Sequence, residues 1–408
     1  MNTNIWVLGA HQSDFARNLT KEAVGVDGLV AEVVHGTIDD AGIPPAHIGT
    51  VHVANAFGEL FTGQAHLGAM PATVCPELWG VPASRHEAAC ASGSVAARAA
   101  MADLTAGFYD VALVVGVEVE RNVGGQLASG HLGAASFVGH EGEPGTVIWA
   151  DMFDQVAEEY DRRYGLDDVH LRAIGALNLA NAKRNPNAQT RSWHVPDVVG
   201  PAGSDAEVNP VVHGRVRRYD CSQITDGGAG VVLATDAYLA AHPHVRPMAR
   251  LAGWGHRTTG LPLQPKLERS RDQEYVLPHV RQAFHDALSR AGTDLDGLDG
   301  LETHDCFTPS EYLAIDHVGL TGPGKSWQAV EDGDIEMGGR LPINPSGGLI
   351  GGGHPVGATG VRMLVDATRQ VSGTAGDYQV DGARRFATLN IGGSTATTLS
   401  FVVEASTA

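Results

Sequence analysis

The sequence is short of cysteine, of basic residues and of long apolar runs, and each shortage excludes something. Four cysteines in 408 residues cannot make a disulfide framework. A reducing compartment is the expectation, and the cytoplasm the expected location. Lys and Arg total 28 against 47 Asp and Glu, for a net charge of −19. Such a chain is not built for sequence-blind nucleic-acid binding, which rests on basic contacts to phosphate. No stretch approaches the ~18 uncharged apolar residues of a membrane span. The first residues show no basic stretch followed by an apolar one, as a secretory leader would. Charged residues are only 18%, so composition does not argue for disorder. What is abundant is glycine, 52 residues, which implies many tight turns and close backbone approaches. At roughly 150 residues per domain, the length allows two or three domains.

Alternating strand and helix patterns run through most of the chain. Asn4 to Ala10 reads as a strand. Val30 to Ala41 has helical apolar spacing and stops at Gly42, and Ile48 to Phe57 reads as a strand. The same succession returns 250 residues later. Val280 to Ala291 is a helix stopped at Gly292, and Leu298 to Phe307 is strand-like. Val30, His35, Ala41, Gly42 and Phe57 fall without a gap on Val280, His285, Ala291, Gly292 and Phe307. The later parts also correspond. A turn with Cys90 opens a small-residue helix to about Leu104, followed by strand Asp110 to Glu118. A glycine-rich turn with His354 opens a helix from Thr359 to Gln370, followed by strand Arg385 to Ile391. Thr397 to Glu404 then ends the pattern. The prediction is a whole-domain duplication of α/β class with mixed sheets. The halves span residues 1–245 and 246–408. Residues 121–211 fit neither copy. Their glycine-rich front (Gly124 to Gly145), two helical stretches (Trp149 to Tyr164, Asp167 to Asn185) and the break at Asn185-Pro186-Asn187-Ala188-Gln189 read as an insertion lobe over the ligand.

Two residues stand out for chemistry. Cys90 sits where a helix starts, and the unpaired amides there favour thiolate. His354 lies among five glycines and a proline, between Gly351 and Gly360, which fixes the backbone more sharply than a surface histidine needs. If the two copies pack about a pseudo-dyad, the two turns face each other, and a Cys with a His is an activated nucleophile. The glycine run could instead cradle phosphate, but it lacks the P-loop Lys-Ser/Thr and the dinucleotide spacing. His304 ends a strand where the first copy has Ala54. No HxxxH, HExxH or paired CxxC spacing appears, so no metal is expected. Cys75, Cys221 and Cys306 read as packing residues.

These segments resemble the thiolase superfamily over essentially the whole chain. Ala88-Ala89-Cys90-Ala91-Ser92-Gly93-Ser94 is similar to the family's nucleophile motif. Asn344-Pro345-Ser346-Gly347-Gly348, followed by Gly353-His354-Pro355-Val356-Gly357-Ala358-Thr359-Gly360, resembles its second signature block. Asp220 to Ala229 resembles a strand-leading segment with Asp226-Gly227-Gly228-Ala229. His304-Asp305-Cys306-Phe307 and the Asn185 to Gln189 break resemble the sterol-carrier and archaeal branch.

The resemblance implies two duplicated halves in a five-layer αβαβα sandwich with an insertion lobe. It implies acyl-CoA C-acyltransferase activity through an acyl-Cys90 intermediate, by thiolysis of a 3-ketoacyl-CoA or by Claisen condensation. Coenzyme A thioester is then a substrate, with no permanently bound cofactor. His354 would take the Cys90 proton, and His304 and His354 would donate to the second thioester's oxygen. The amides of Cys90 and Gly392 would form an oxyanion hole, each donor worth about 3 kcal/mol. Arg217, Arg218 and Lys183, with Ser346 and Gly347, are the expected contacts to the CoA substrate. The resemblance further implies a homodimer or tetramer, and in this branch a small OB-fold partner, sometimes with a zinc ribbon. One departure matters. By register Asn390 stands where ordinary members carry a second cysteine, and an amide cannot replace that base. Either a histidine serves as base, or the acceptor is not a CoA thioester or the condensation is ketosynthase-like, or the chain is a thiolase-like aldolase or scaffold acting with a partner.

Overall fold

The computed structural model describes residues 4–142 and 147–406, so Gly145 of the glycine-rich front lies outside the described residues. Among the described residues there are eleven strands: β1 (Ile5–Gln12), β2 (Thr50–Ala54), β3 (Ala83–His86), β4 (Val111–Glu118), β5 (Val211–His213), β6 (Val216–Arg217), β7 (Gly227–Thr235), β8 (Ala249–Thr258), β9 (Gly300–Thr303), β10 (Arg385–Gly392) and β11 (Thr397–Ala405). The helices that matter for the site are α1 (Val26–Ala41), α2 (Ser92–Thr105), α3 (Ile148–Tyr164), α4 (Asp168–Ala182), α5 (Pro278–Ala291), α6 (Thr308–Val318) and α7 (Thr359–Ser372).

Nine strands form one continuous sheet in the order β3-β2-β4-β7-β1-β8-β11-β10-β9. The order is a palindrome of the duplication. In each half the first strand lies at the centre (β1, β8), the last beside it (β7, β11), then β4 or β10, and then the second (β2, β9). The second half has no counterpart of β3 except a single parallel bridge from Leu301 to Ile343. The halves join through three antiparallel pairs, Ile5 with Leu251, Trp6 with Arg250 and Val7 with Ala249. Matching local signals explain the repeat. Gly42 and Gly292 end α1 and α5 in the left-handed region, at φ 62° and 68°, where a side chain would be strained. A short 3-10 turn and a strand then follow in both copies, offset by 250 residues.

The layers follow from which faces are apolar. α1 buries Leu29, Val30, Val33, Val34 and Ile38 against Val51, Val53 and Leu113 on one outer side. α5 buries Val280, Phe284, Ala287 and Leu288 against Leu301, Leu389 and Val402 on the other. Burying a side chain such as Phe284 is worth about 1.5–3 kcal/mol. α2 and α7 fill the middle, with Ala96, Ala97, Ala100, Val361, Leu364 and Val365 packed among residues of both half-sheets, including Val7, Val231 and Phe401. Five layers result, α1, half-sheet, α2 with α7, half-sheet, α5.

α2 and α7 can lie this close because their first turns cross at glycines. A Cβ on Gly93 would sit 2.6 Å from the Val361 amide nitrogen, and one on Gly360 would sit 2.3 Å from that of Ser94. The contact is reciprocal, as a pseudo-dyad requires. Gly93→Ala is therefore expected to cost about 1–3 kcal/mol by overpacking, read as a lowered denaturant midpoint with unchanged slope. A midpoint within error of the parent would show that the helices part without penalty.

The inserted segment behaves differently from its sequence position. It is threaded into the first half, yet α3 and α4 pack on the second. Met152, Val156, Tyr160, Leu171 and Ile174 share a core with Tyr312, Leu313 and Ile315 of α6. Their amphipathic pattern shows a buried face but not its partner. The hairpin β5–β6 closes the lobe.

Candidate active site

Three chain segments converge at the dyad. Cys90 lies in the 3-10 turn Ala89–Ala91 that opens α2, with Ala89 held at φ 51°. His304 directly follows β9. His354 precedes the turn Val356–Ala358 that opens α7. The two turns superpose through their helix starts, so the duplicate of His354 is Glu87 rather than Cys90, three residues along the same turn. One ligand-type atom from each of Cys90, His304 and His354 lies within 4.8 Å of the others. The two imidazoles stand edge to face, 5.4 Å between centroids.

Hydrogen bonds fix the proton on each ring. Thr359 Oγ1 donates its only hydrogen to the Pro355 carbonyl at 3.1 Å. With that hydroxyl turned to the carbonyl, its 2.7 Å contact suits a His354 Nδ1–H donor, the tautomer that places a lone pair on Nε2. Asn390 is pinned by the Ser94 hydroxyl, which donates to its Oδ1 at 2.8 Å. Its Nδ2 donates to the Cys90 carbonyl at 3.1 Å and to His304 Nδ1 at 3.3 Å. His304 therefore carries its proton on Nε2, a buried atom with no partner inside the protein. One histidine offers an acceptor and the other a donor. Burial, then the nearby Arg362 charge, pushes His354 down to about 3. His304 is also pushed well below its ordinary value, by burial, His354 and Arg362. Both environments favour the neutral ring.

The expectation of a resting thiolate is corrected. Burial pushes the Cys90 thiol up to about 12, and Glu120 and Glu118 add to the rise. The Gly393 amide opposes this and does not win. The helix terminus supplies a fraction of a charge, while desolvation penalises a whole one. A thiol so placed ionises only with the help of a base. The same three atoms can hold a soft divalent ion only once the thiol ionises.

Gly393, at φ 61°, borders the cavity and directs its amide to the Cys90 sulfur. Gly392 is the last residue of β10, paired with Thr397. A Cβ there would lie 2.2 Å from the Ala88 carbonyl, so Gly392 lets the strand approach the Cys90 turn.

The cavity in front of Cys90 holds about 300 Å³. Phe57 and Phe307, the closing residues of the two repeats, both line it, with Leu132, Trp149, Phe153 and Val356. Trp149 and Phe153 come from α3, so the lobe covers the site. Three of the four cysteines border the cavity: Cys90, Cys221 and Cys306. Cys306 and Cys221, read from sequence as packing residues, are thus cavity walls as well. Burial raises both thiols, Cys306 also through Cys90.

Two acids were missed. Glu118 ends β4, and Glu120 follows it into the cavity wall. Glu118 is fully engaged, accepting from the amides of Ala56, Phe57 and Gly357 and from Asn55 Nδ2, at 2.8–3.1 Å. It is pushed up to about 7 by burial. Glu120 Oε1 accepts from the Val356 amide at 3.0 Å, and its own amide donates to Asp226 Oδ1 at 2.8 Å. Burial and Glu118 raise Glu120 well above the usual carboxylate range. The signal in the sequence was two acids closing an otherwise apolar strand, a pattern that reads as a solvent-exposed end.

The glycine-rich loop cradles an anion, but a protein one. The amides of Leu349 and Ile350 donate to the Asp305 carboxylate at 2.6 and 3.1 Å, and Asn178 Nδ2 donates at 2.8 Å. A Cβ on Gly348, at φ 59°, would strike that carboxylate at 2.4 Å. Ser346 Oγ donates to Glu302 at 2.6 Å, and Gly347, at φ 98°, packs on Ala182. Both residues are buried, and neither lines the cavity in front of Cys90. Of the basic residues, Arg218 borders the cavity. Arg217 donates to the Asn209 carbonyl at 2.9 Å. Lys183 lines a separate groove with Arg184, Arg191 and Arg369, away from Cys90.

The fold sets the Cys–His–His cluster at a dyad-related pair of turns. Comparison with known sequences agrees. Residues 5–193 match the thiolase N-terminal domain and residues 265–405 the thiolase C-terminal domain-like family. The chain belongs to the thiolase superfamily. It is 30% identical over 395 residues to an acetyl-CoA acetyltransferase of Methanothermobacter thermautotrophicus, covering 96% of this chain and 97% of that one. It is 27% identical to sterol carrier protein 2 of Gallus gallus, covering 96% of this chain and 70% of that one. Among solved structures, the Ltp2–ChsH2(DUF35) aldolase superposes with a TM-score of 0.78 at 19% identity, over 98% of both chains. The acetyl-CoA acetyltransferase from Syntrophomonas wolfei gives 0.71 at 17%, over 99% of both. Among the described residues, no helix is long and apolar enough to cross a membrane.

Proposed function

We propose that this protein is an acyl-CoA C-acyltransferase. Cys90 takes an acyl group from a thioester and passes it on by thiolysis or by carbon–carbon condensation. The observation that carries the reading is the convergence of Cys90, His304 and His354, one ligand-type atom of each within 4.8 Å of the others, with His354 Nδ1 held by Thr359. His354 removes the thiol proton as sulfur attacks, so no standing thiolate is needed. The Gly393 amide, with that of Cys90, stabilises the oxyanion. His304 Nε2–H donates to the second thioester's oxygen as enolate charge grows. Arg218 at the cavity meets a CoA phosphate.

The second reading is carbon–carbon cleavage of the aldolase type, with a small partner protein. It is favoured by the absence of a titratable side chain at Asn390, and by the likeness to a structure solved as an aldolase together with a second protein. Intact-protein mass spectrometry after mixing with acetyl-CoA and longer acyl-CoAs separates the two. The acyltransferase reading expects one acyl mass at Cys90, absent from Cys90→Ala. Turnover of a 3-hydroxyacyl-CoA with no adduct at Cys90, alone or with a partner, would establish the second reading instead.

A further inference from the structure

The Gly393 amide that faces Cys90 belongs to a strained loop between β10 and β11. Gly393 has φ 61°, and so does Thr395, which is not a glycine. A side chain in that left-handed region persists only where its surroundings fix it. Two backbone bonds lie within the loop. The Thr395 amide donates to the Gly393 carbonyl at 2.8 Å, and the Ala396 amide to the Gly392 carbonyl at 3.0 Å.

The remaining ties come from outside, and the most unusual is a buried lysine. Lys266, on the short helix Gln264–Arg269, is 7% exposed. Its Nζ donates to the Ser394 carbonyl at 2.5 Å, to Ser394 Oγ at 3.2 Å and to the Leu261 carbonyl at 3.0 Å. Ser394 Oγ in turn donates to the Leu261 carbonyl at 2.8 Å, so three acceptors suit the three ammonium hydrogens. Among the described residues no carboxylate forms an ion pair with Lys266. A buried ammonium without a counter-ion is costly, and an apolar side chain would serve packing alone better. His279, at the start of α5, adds a second tie, its Nε2 donating to the Thr395 carbonyl at 2.9 Å. The Thr259 amide adds a third, to the Ala396 carbonyl at 2.8 Å.

We propose that Lys266 is a positioning residue for acyl transfer, which sets the Gly393 amide where the oxyanion develops. This rests on the acyltransferase reading. Lys266 does not border the cavity, whereas Gly393 does, so it acts through the loop. With the Ser394 carbonyl held by Lys266 and the Gly392 carbonyl by the Ala396 amide, the peptide that carries the Gly393 N–H is fixed on both sides. Without the ammonium, the Ser394 carbonyl loses its charged donor, and the loop relaxes from φ values that its ties maintain. The amide then meets the oxyanion poorly.

The test compares two reagents on the full-length protein, each read at Cys90 by mass spectrometry. Acetyl-CoA acylates through a tetrahedral oxyanion. Iodoacetamide alkylates by displacing iodide and forms no oxyanion, so it reports the thiol and its base but not the aim of the amide. In Lys266→Met, acylation at saturating acetyl-CoA is expected to slow about 100-fold, the effect of a misplaced oxyanion donor. The half-saturating concentration and the alkylation rate should stay within about threefold of the parent. Lys266→Arg should recover part of the acylation rate. Lys266→Gln keeps one donor and should show the same split at smaller size, which serves if Lys266→Met does not fold. Equal slowing of acylation and alkylation would overturn the inference, because it would mean general damage to the site. So would unchanged acylation. A parent protein that iodoacetamide labels at Cys90, but that neither acetyl-CoA nor longer acyl-CoAs acylate, would instead overturn the acyltransferase reading, and this inference with it.

Discussion

Replacing His354 with alanine should slow acylation of Cys90 by about two to four orders of magnitude, the usual worth of a positioned general base. The diagnostic result is the pH profile. In the parent protein the thiol is pushed up to about 12 and the imidazole down to about 3. Between those values the pair stays neutral, and the proton moves only as the bond forms. The acylation rate should therefore be nearly level from about pH 5 to 9. Without His354, acylation must wait for the rare free thiolate, whose share grows about tenfold per pH unit below the thiol's pKa. The variant should then gain rate with a slope near one and approach the parent only in strong alkali. Single-turnover acylation from acetyl-CoA, quenched and read by mass spectrometry, measures both. A level profile in the variant would mean that another group takes the proton, and His354 would lose its assignment.

Arg362→Met should be the most damaging single substitution away from the nucleophile. Arg362 Nη1 donates to Glu302 at 2.7 Å, to Asp366 at 2.9 Å and to Ser346 at 3.0 Å, all in the interior. Tyr378 OH donates to the other oxygen of Asp366 at 2.8 Å. Methionine fills the space but leaves both carboxylates buried without their cation. Breaking one side of a buried ion cluster costs about 3–5 kcal/mol. Acid should lessen the loss. Burial raises Glu302 from 4.5 to about 7, and Arg362 is the main force holding it from rising further. The folded state thus keeps a proton on Glu302 that the unfolded chain releases above 4.5, so this group's contribution to stability falls as pH climbs from 4.5 through 7. In the variant the fall continues to higher pH. Denaturant unfolding should show a larger deficit at about pH 8 than at about pH 5. Equal deficits would mean that lost packing, not charge, is responsible.

The repeated framework was legible because its signals are local. A stop such as Gly42 or Gly292 needs only its own helix, and the Phe57–Phe307 correspondence survives as two walls of one cavity. Cys90 and His354 were legible for the same reason, since each sits in a turn whose glycines betray a constrained backbone. What escaped depends on contacts between distant segments. Nothing near α3 or α4 says that they pack on α6. Glu118 and Glu120 look solvated until Gly357 and Val356 are brought to them from the other half. The charge state of Cys90 reversed because burial, a property of the whole fold, outweighs the helix start. The glycine loop's anion turned out to be Asp305, 43 residues before Gly348 (348 − 305).

The three-pair seam between β1 and β8 also sets an order of events during synthesis. The first strand of the chain is an open edge until residues 249–251 emerge, and α2 has no partner in the middle layer until α7 is made. For most of its translation the nascent chain carries an unpaired edge and a bare helix face, the features that invite wrong pairing. Asn390 and Gly393, which pin the turn of Cys90, follow it by about 300 residues. Cys90 is therefore made long before the residues that hold it in place. A ribosome paused before β10 would present a thiol with none of its geometry.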